Sequence, residues 1–98
     1  MSKSNLNHLA ERLPTAWQSS VIGKAAGANI KVLRMDSAAY PEEVHEVDEA
    51  LLVIDGVMNL DLAGELVSVG AGELFLVPAG QPHAVVPGSH GTLIIIDQ

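Results

Sequence analysis

Apolar residues gather in short runs over 50–54, 57–62, 66–69, 74–77, 83–86 and 92–96, each cut off by glycine or proline within a few positions. Gly56, Gly64, Gly70-Ala71-Gly72, Pro78-Ala79-Gly80 and Pro87-Gly88 supply the punctuation. Runs this short, ended by turn residues, predict the strands of a sandwich or barrel. Met58, Leu60 and Leu62 alternate with Asn59 and Asp61, the period of a strand with one face in a core and the other toward water. Leu51-Leu52-Val53-Ile54 and Leu93-Ile94-Ile95-Ile96 are apolar on both faces. Both of those faces need cover. In so small a domain the cover for an outer face would come from another subunit, so a homodimer is expected.

Upstream, 17–24 and 28–35 read as two strands of a hairpin around Ala26-Gly27, with Ile30, Val32 and Leu33 giving β character. Before them, Leu6, Leu9 and Leu13 recur at helical spacing ahead of Pro14, which predicts a short helix over 5–13 capped by Ser4. So short a helix is stable only when it packs on the rest of the fold or on a partner. With 98 residues the chain fills one hydrophobic core, which gives a single domain over 1–98: an N-terminal helix and arm over 1–16 and a barrel over 17–98. Trp17 is expected to plug the barrel or an interface.

Composition narrows the chemistry. There is no cysteine, which removes disulfides, thiolate metal sites and cysteine nucleophiles. All five basic residues, Lys3, Arg12, Lys24, Lys31 and Arg34, lie in the first third, and the net charge is −7. A chain without a basic footprint over most of its length is not expected to bind nucleic acid. The same distribution disfavours phosphorylated substrates unless Lys31, Arg34 or a metal supplies the positive charge, so neutral or metal-chelating small molecules are the expected ligands. The first residues carry no apolar leader, and no uncharged run reaches membrane-spanning length, so the expectation is a cytoplasmic protein without a membrane partner.

The candidate chemistry lies in residues 41–87. From Glu42 to Glu49, five acids and one histidine occupy eight positions. In an extended strand Glu43, His45 and Glu49 share a face, with Val47 between them, and two carboxylates with an imidazole can hold a divalent metal. Glu42, Glu43, Glu46 and Asp48 read equally as a solvated acidic loop. Downstream, a strand runs into the Pro78-Ala79-Gly80 turn, and the chain re-enters the sheet at His83 beside Pro82. A rigid turn is a means of aiming a ligand side chain. Tyr40 and Gln81 are candidate pocket residues; His8 and His90 are expected to face solvent, and Met58 and Phe75 to fill the barrel. No nucleophile elbow, phosphate loop or dinucleotide fingerprint occurs.

Gly72, Pro78, Gly80 and His83 meet the whole of the second motif of the cupins, Gly-x5-Pro-x-Gly-x2-His. His45, Glu49 and Gly56 meet the C-terminal end of their first motif. The chain therefore resembles a small single-domain cupin of the cupin-2 type, and the resemblance implies an all-β jelly-roll barrel. It also implies a divalent metal held by His45, Glu49 and His83, with Glu43 where the family has its first histidine. The other permitted spacing would place Glu42 and Val44 at the two ligand positions, and valine cannot bind a metal. Two carboxylates beside the ion favour manganese, iron or zinc over copper and nickel. Without Glu43, two histidines and one carboxylate leave open positions of the kind iron(II) uses in oxygen activation. The expected function is a metal-binding barrel with a small-molecule pocket, as an oxygenase or isomerase. The alternatives are a ligand-binding or sensing barrel that has lost its metal, and a dimeric assembly or regulatory module.

Overall fold

The computed structural model describes residues 3–98. One helix, α1 (Leu6–Arg12), precedes eight strands: β1 (Ser20–Ala25), β2 (Ala28–Asp36), β3 (Tyr40–Glu43), β4 (Glu49–Leu62), β5 (Glu65–Gly70), β6 (Leu74–Val77), β7 (His83–Val85) and β8 (His90–Asp97). All pairings are antiparallel, and the strand order is β1-β2-β8-β4-β7-β3, with β5 and β6 also bonded to β4. The result is the all-β barrel with a short N-terminal helix that the sequence pattern predicts. Among the described residues no helix is long and apolar enough to cross a membrane.

β4 organises the barrel. The sequence reads 50–54 and 57–62 as two strands around a turn at Gly56, whereas the structure joins them in one strand of 14 residues. Its first part lies between β8 and β6, and its second part between β5 and β7. An irregularity between Val53 and Asp55 resets the alternation, so the buried positions change from Leu51 and Val53 to Met58 and Leu60. Such a bulge bends a strand, and here it lets one strand serve both parts of the barrel. Gly56 has φ +83°, and a Cβ there would run into the carbonyl oxygen of His90 on β8. Only glycine permits that backbone contact.

Two apolar clusters lie on opposite faces of the β2-β8-β4 sheet. Leu33, Met35, Leu51, Val53, Met58, Leu60 and Leu93 fill the barrel interior, with Trp17 and Phe75 against them. On the outer face Val32 and Ile94 meet Ala10 of α1, with Leu6, Leu9, Leu13, Leu52, Ile54 and Ile96 around them. The cover that the apolar runs demand from a partner is thus supplied in large part by the chain's own helix. The cap of α1 is Asn5, not Ser4: the Asn5 side chain accepts from the His8 N–H at 3.1 Å. At its other end the Arg34 guanidinium donates to the carbonyls of Ala10 (2.8 Å) and Leu13 (2.7 Å). A seven-residue helix cannot stand alone, and this clamp together with the buried leucine face fixes it.

Candidate metal centre

Glu43 ends β3, and its register partner on β7 is His83. β4 opens at Glu49. The single extended strand that alternation suggests from Glu43 to Glu49 is not formed; a loop over 44–48 joins β3 to β4. The shared face survives because the loop is tied down. The Gly80 N–H donates to the His45 carbonyl at 2.9 Å, and the Ala79 N–H donates to Asp48 Oδ1 at 2.9 Å. These bonds dock the Pro78–Gly80 turn on the acidic loop and bring His45 over His83, with ring centroids 5.2 Å apart. Asp48 is therefore a turn-holding residue, while Glu42 and Glu46 are exposed as a solvated loop requires. Val44 is 56% exposed, so the alternative register through Glu42 and Val44 faces away from the site.

Four predicted residues converge. His45 Nε2 lies 3.1 Å from Glu43 Oε2 and 3.8 Å from Glu49 Oε2, and His83 Nε2 lies 3.4 Å from Glu49 Oε1. Glu43, His45 and His83 each offer a ligand atom within 4.8 Å of the others. His83 Nδ1 is 3.0 Å from the Gln81 carbonyl, so the Nδ1–H donates there and Nε2 carries the lone pair. That Nε2 is buried and has no hydrogen-bond partner. A lone pair facing a buried carboxylate calls for a cation or proton between them. An oriented imidazole beside two carboxylates and a second imidazole is a donor set that fits a divalent ion.

The cluster forms one rim of a cavity of about 190 Å³ inside the barrel. Its floor is apolar, built of Leu33, Leu51, Met58, Leu60, Leu93 and Ile95. Tyr40 lines it, with its ring 5.7 Å from that of Trp17. Trp17 itself lines the cavity while packing on the core, and its indole N–H donates to Asp36. Gln81 does not line the cavity. Its amide turns to the Pro82 carbonyl (3.0 Å), and its contribution is the backbone oxygen that orients His83. His8 and His90 are exposed. Sequence reading makes Trp17 a plug of the barrel or an interface, gives Asp97 no role and Lys31 only a conditional one, and all three are in the cavity wall. Lys31 and Asp97 form an ion pair at 2.9 Å.

Burial pushes the Glu49 carboxyl above its ordinary range, against the pull of His45 and His83, and the charge of Asp97 adds to the rise. The negative charge of Glu43 together with burial raises the Tyr40 phenol, which keeps it a hydrogen-bond donor at the edge of the site.

Comparison with known proteins gives a match to the cupin domain over residues 33–97. A quercetin 2,3-dioxygenase of Bacillus subtilis (strain 168) is 31% identical over an alignment of 77 residues that covers 74% of this chain and 23% of that enzyme. The chain thus spans under a quarter of that relative's length. A cupin-2 domain containing protein of Shewanella frigidimarina superposes with a TM-score of 0.85 at 20% identity, covering 95% of this chain and 91% of that one. A protein of Neisseria meningitidis does so with a TM-score of 0.84 at 23% identity, covering 98% of each chain.

Proposed function

The chain belongs to the cupin family, and from that premise we propose that it is a metal-binding cupin whose cavity takes a neutral or metal-chelating small molecule, acting on it as a metal-dependent oxygenase. The observation that carries this reading is the buried, partnerless His83 Nε2, held in its metal-binding tautomer by Gln81 and surrounded by Glu43, His45 and Glu49. Manganese, iron or zinc suits that donor set, and the ion would supply Lewis acidity and, for iron or manganese, redox chemistry. The chain's own residues supply the rest. The apolar floor excludes water from the ligand body, and the Tyr40 phenol at the edge of the site can donate to a ligand oxygen. The stretch of sequence shared with a dioxygenase favours oxygenase over isomerase chemistry.

The test is oxygen uptake by iron- or manganese-loaded protein over a panel of neutral hydroxy-ketones, with product analysis by NMR. Uptake that needs the metal and disappears in His83→Ala supports an oxygenase. Metal-loaded protein that consumes no oxygen contradicts it, and isomerised product instead would move the assignment to isomerase. The same reading includes a homodimer, supported by Leu74 and Leu76, which remain 55% and 66% exposed on β6. Light scattering that gives a monomer mass at micromolar concentration would remove that part.

A further inference from the structure

The β4–β8 register pairs Ala50 with Ile96, and its next step sets Asp97 opposite Glu49. Both residues line the cavity, so their side chains share its inner face, where directly opposed residues hold their Cβ atoms about 5 Å apart. The two carboxylates act on each other. Burial is the main reason that the Glu49 carboxyl is raised, and the charge of Asp97 adds to the rise ahead of that of Glu43.

Asp97 is held from its other side by Lys31, whose Nζ donates to Oδ2 at 2.9 Å. Its second oxygen, Oδ1, is buried without a hydrogen-bond partner. Among the described residues one other buried side-chain atom shares that state, His83 Nε2, which lies 3.4 Å from Glu49 Oε1. The two orphaned atoms thus belong to two neighbours of Glu49, in a row that runs Lys31, Asp97, Glu49, His83. Adjacent carboxylates out of water repel each other and need positive charge. Lys31 is the only lysine or arginine among the described residues that line the cavity, and it meets only Oδ2. A divalent ion held by Glu49 and the histidines would supply the remainder. Asp97 is paired with Lys31 and with neither histidine, which makes it a neighbour of the centre and not a ligand.

We propose that the Lys31–Asp97 pair sets the charge of the metal centre: Asp97 strengthens the hold on a divalent ion through its negative charge beside Glu49, and Lys31 positions Asp97 while limiting that hold with its own positive charge. This rests on the metal-binding reading given above. It imposes a rule of sign. Removing the charge of Asp97 weakens metal binding, removing that of Lys31 tightens it, and removing both restores it, because the pair is neutral with or without its charges. A pair that merely braced the barrel would weaken binding in every variant.

The test measures zinc dissociation constants by competition with a chromophoric chelator, at pH 8 in dilute buffer, for wild type, Asp97→Asn, Lys31→Gln and the double variant. Asparagine and glutamine keep polar groups that can bond to the partner while removing the charge. Asp97→Asn should weaken zinc binding about tenfold, the usual scale for an outer partner of a ligand. Lys31→Gln should tighten it about threefold, less because the Lys31 side chain is partly in water. The double variant should lie within about threefold of wild type. Circular dichroism and thermal melts establish which variants fold, and the partly exposed Lys31→Gln decides the sign by itself if Asp97→Asn does not. Weaker or unchanged zinc binding in Lys31→Gln, or a double variant as weak as Asp97→Asn, overturns the proposal and leaves the metal centre standing. Wild type that binds no zinc overturns the metal reading and the proposal together, so the two failures are distinguishable.

Discussion

At the scale of single residues the site is held by backbone bonds as much as by its ligand atoms. Asp48 receives the Ala79 N–H, and so ties the loop that carries His45 to the turn that precedes His83. Asp48→Ala should leave the fold in place and weaken metal binding about tenfold or more, the usual cost of losing an outer support; competition against a chromophoric chelator measures it. Glu49 gives a pH prediction. Burial raises its pKa in the folded state above the ordinary 4.5, so on raising the pH the unfolded chain loses this proton first. The folded protein then binds more protons than the unfolded one, and stability falls as pH rises from about 4.5 through the folded value. In metal-stripped protein Glu49→Gln should remove that slope and raise the melting temperature at neutral pH, as thermal scans across pH would record. The motif residues were legible because their chemistry is local: Pro78, Gly80 and His83 form a turn and its exit within six positions. Asp48 was not, because a solvated carboxylate and one that caps a distant turn look alike in sequence.

At the scale of elements, strand existence was readable and strand continuity was not. A lone glycine between apolar runs signals a turn or a bulge equally well, and at Gly56 the structure has a continuous β4 with its irregularity just before. Gly56→Ala should cost at least ~2 kcal/mol, because it combines a left-handed backbone with a collision against His90. Chemical denaturation would show the loss as a lower midpoint. Glycine is not equally well placed at every turn. Ala63 holds φ +54° in the two-residue turn between β4 and β5, a position that suits asparagine. Ala63→Asn should stabilise the protein by about 1 kcal/mol. α1 shows how a marginal element is secured from outside itself. Arg34→Met removes two charge-assisted bonds to its C-terminal carbonyls and should cost about 2 kcal/mol, with increased binding of a hydrophobic dye as the outer cluster is uncovered.

At the scale of the whole molecule, the barrel is a layered device: an apolar floor, a polar rim, and a helix that seals the outside. The runs apolar on both faces announced that both faces of the sheet are covered, but not what covers the outer one, since a helix of the same chain and a partner strand impose the same pattern. Lys31 and Asp97 were hidden for a related reason. They are 66 residues apart in sequence and meet only through the β2–β8 register, on strands whose alternation does not say which face is inner. Metal binding to the rim joins β3, β4 and β7, so occupancy should stabilise the whole fold; at a hundredfold excess of ion over its dissociation constant the gain is about 2.7 kcal/mol.

The most direct test of the metal centre is elemental analysis by plasma mass spectrometry of untagged protein after dialysis against a weak chelator, wild type beside His83→Ala. Near-stoichiometric manganese, iron or zinc in the wild type and its loss from a folded His83→Ala variant is the expected result. Metal in neither protein after reconstitution, or equal metal in both, would contradict the centre built on Glu43, His45, Glu49 and His83.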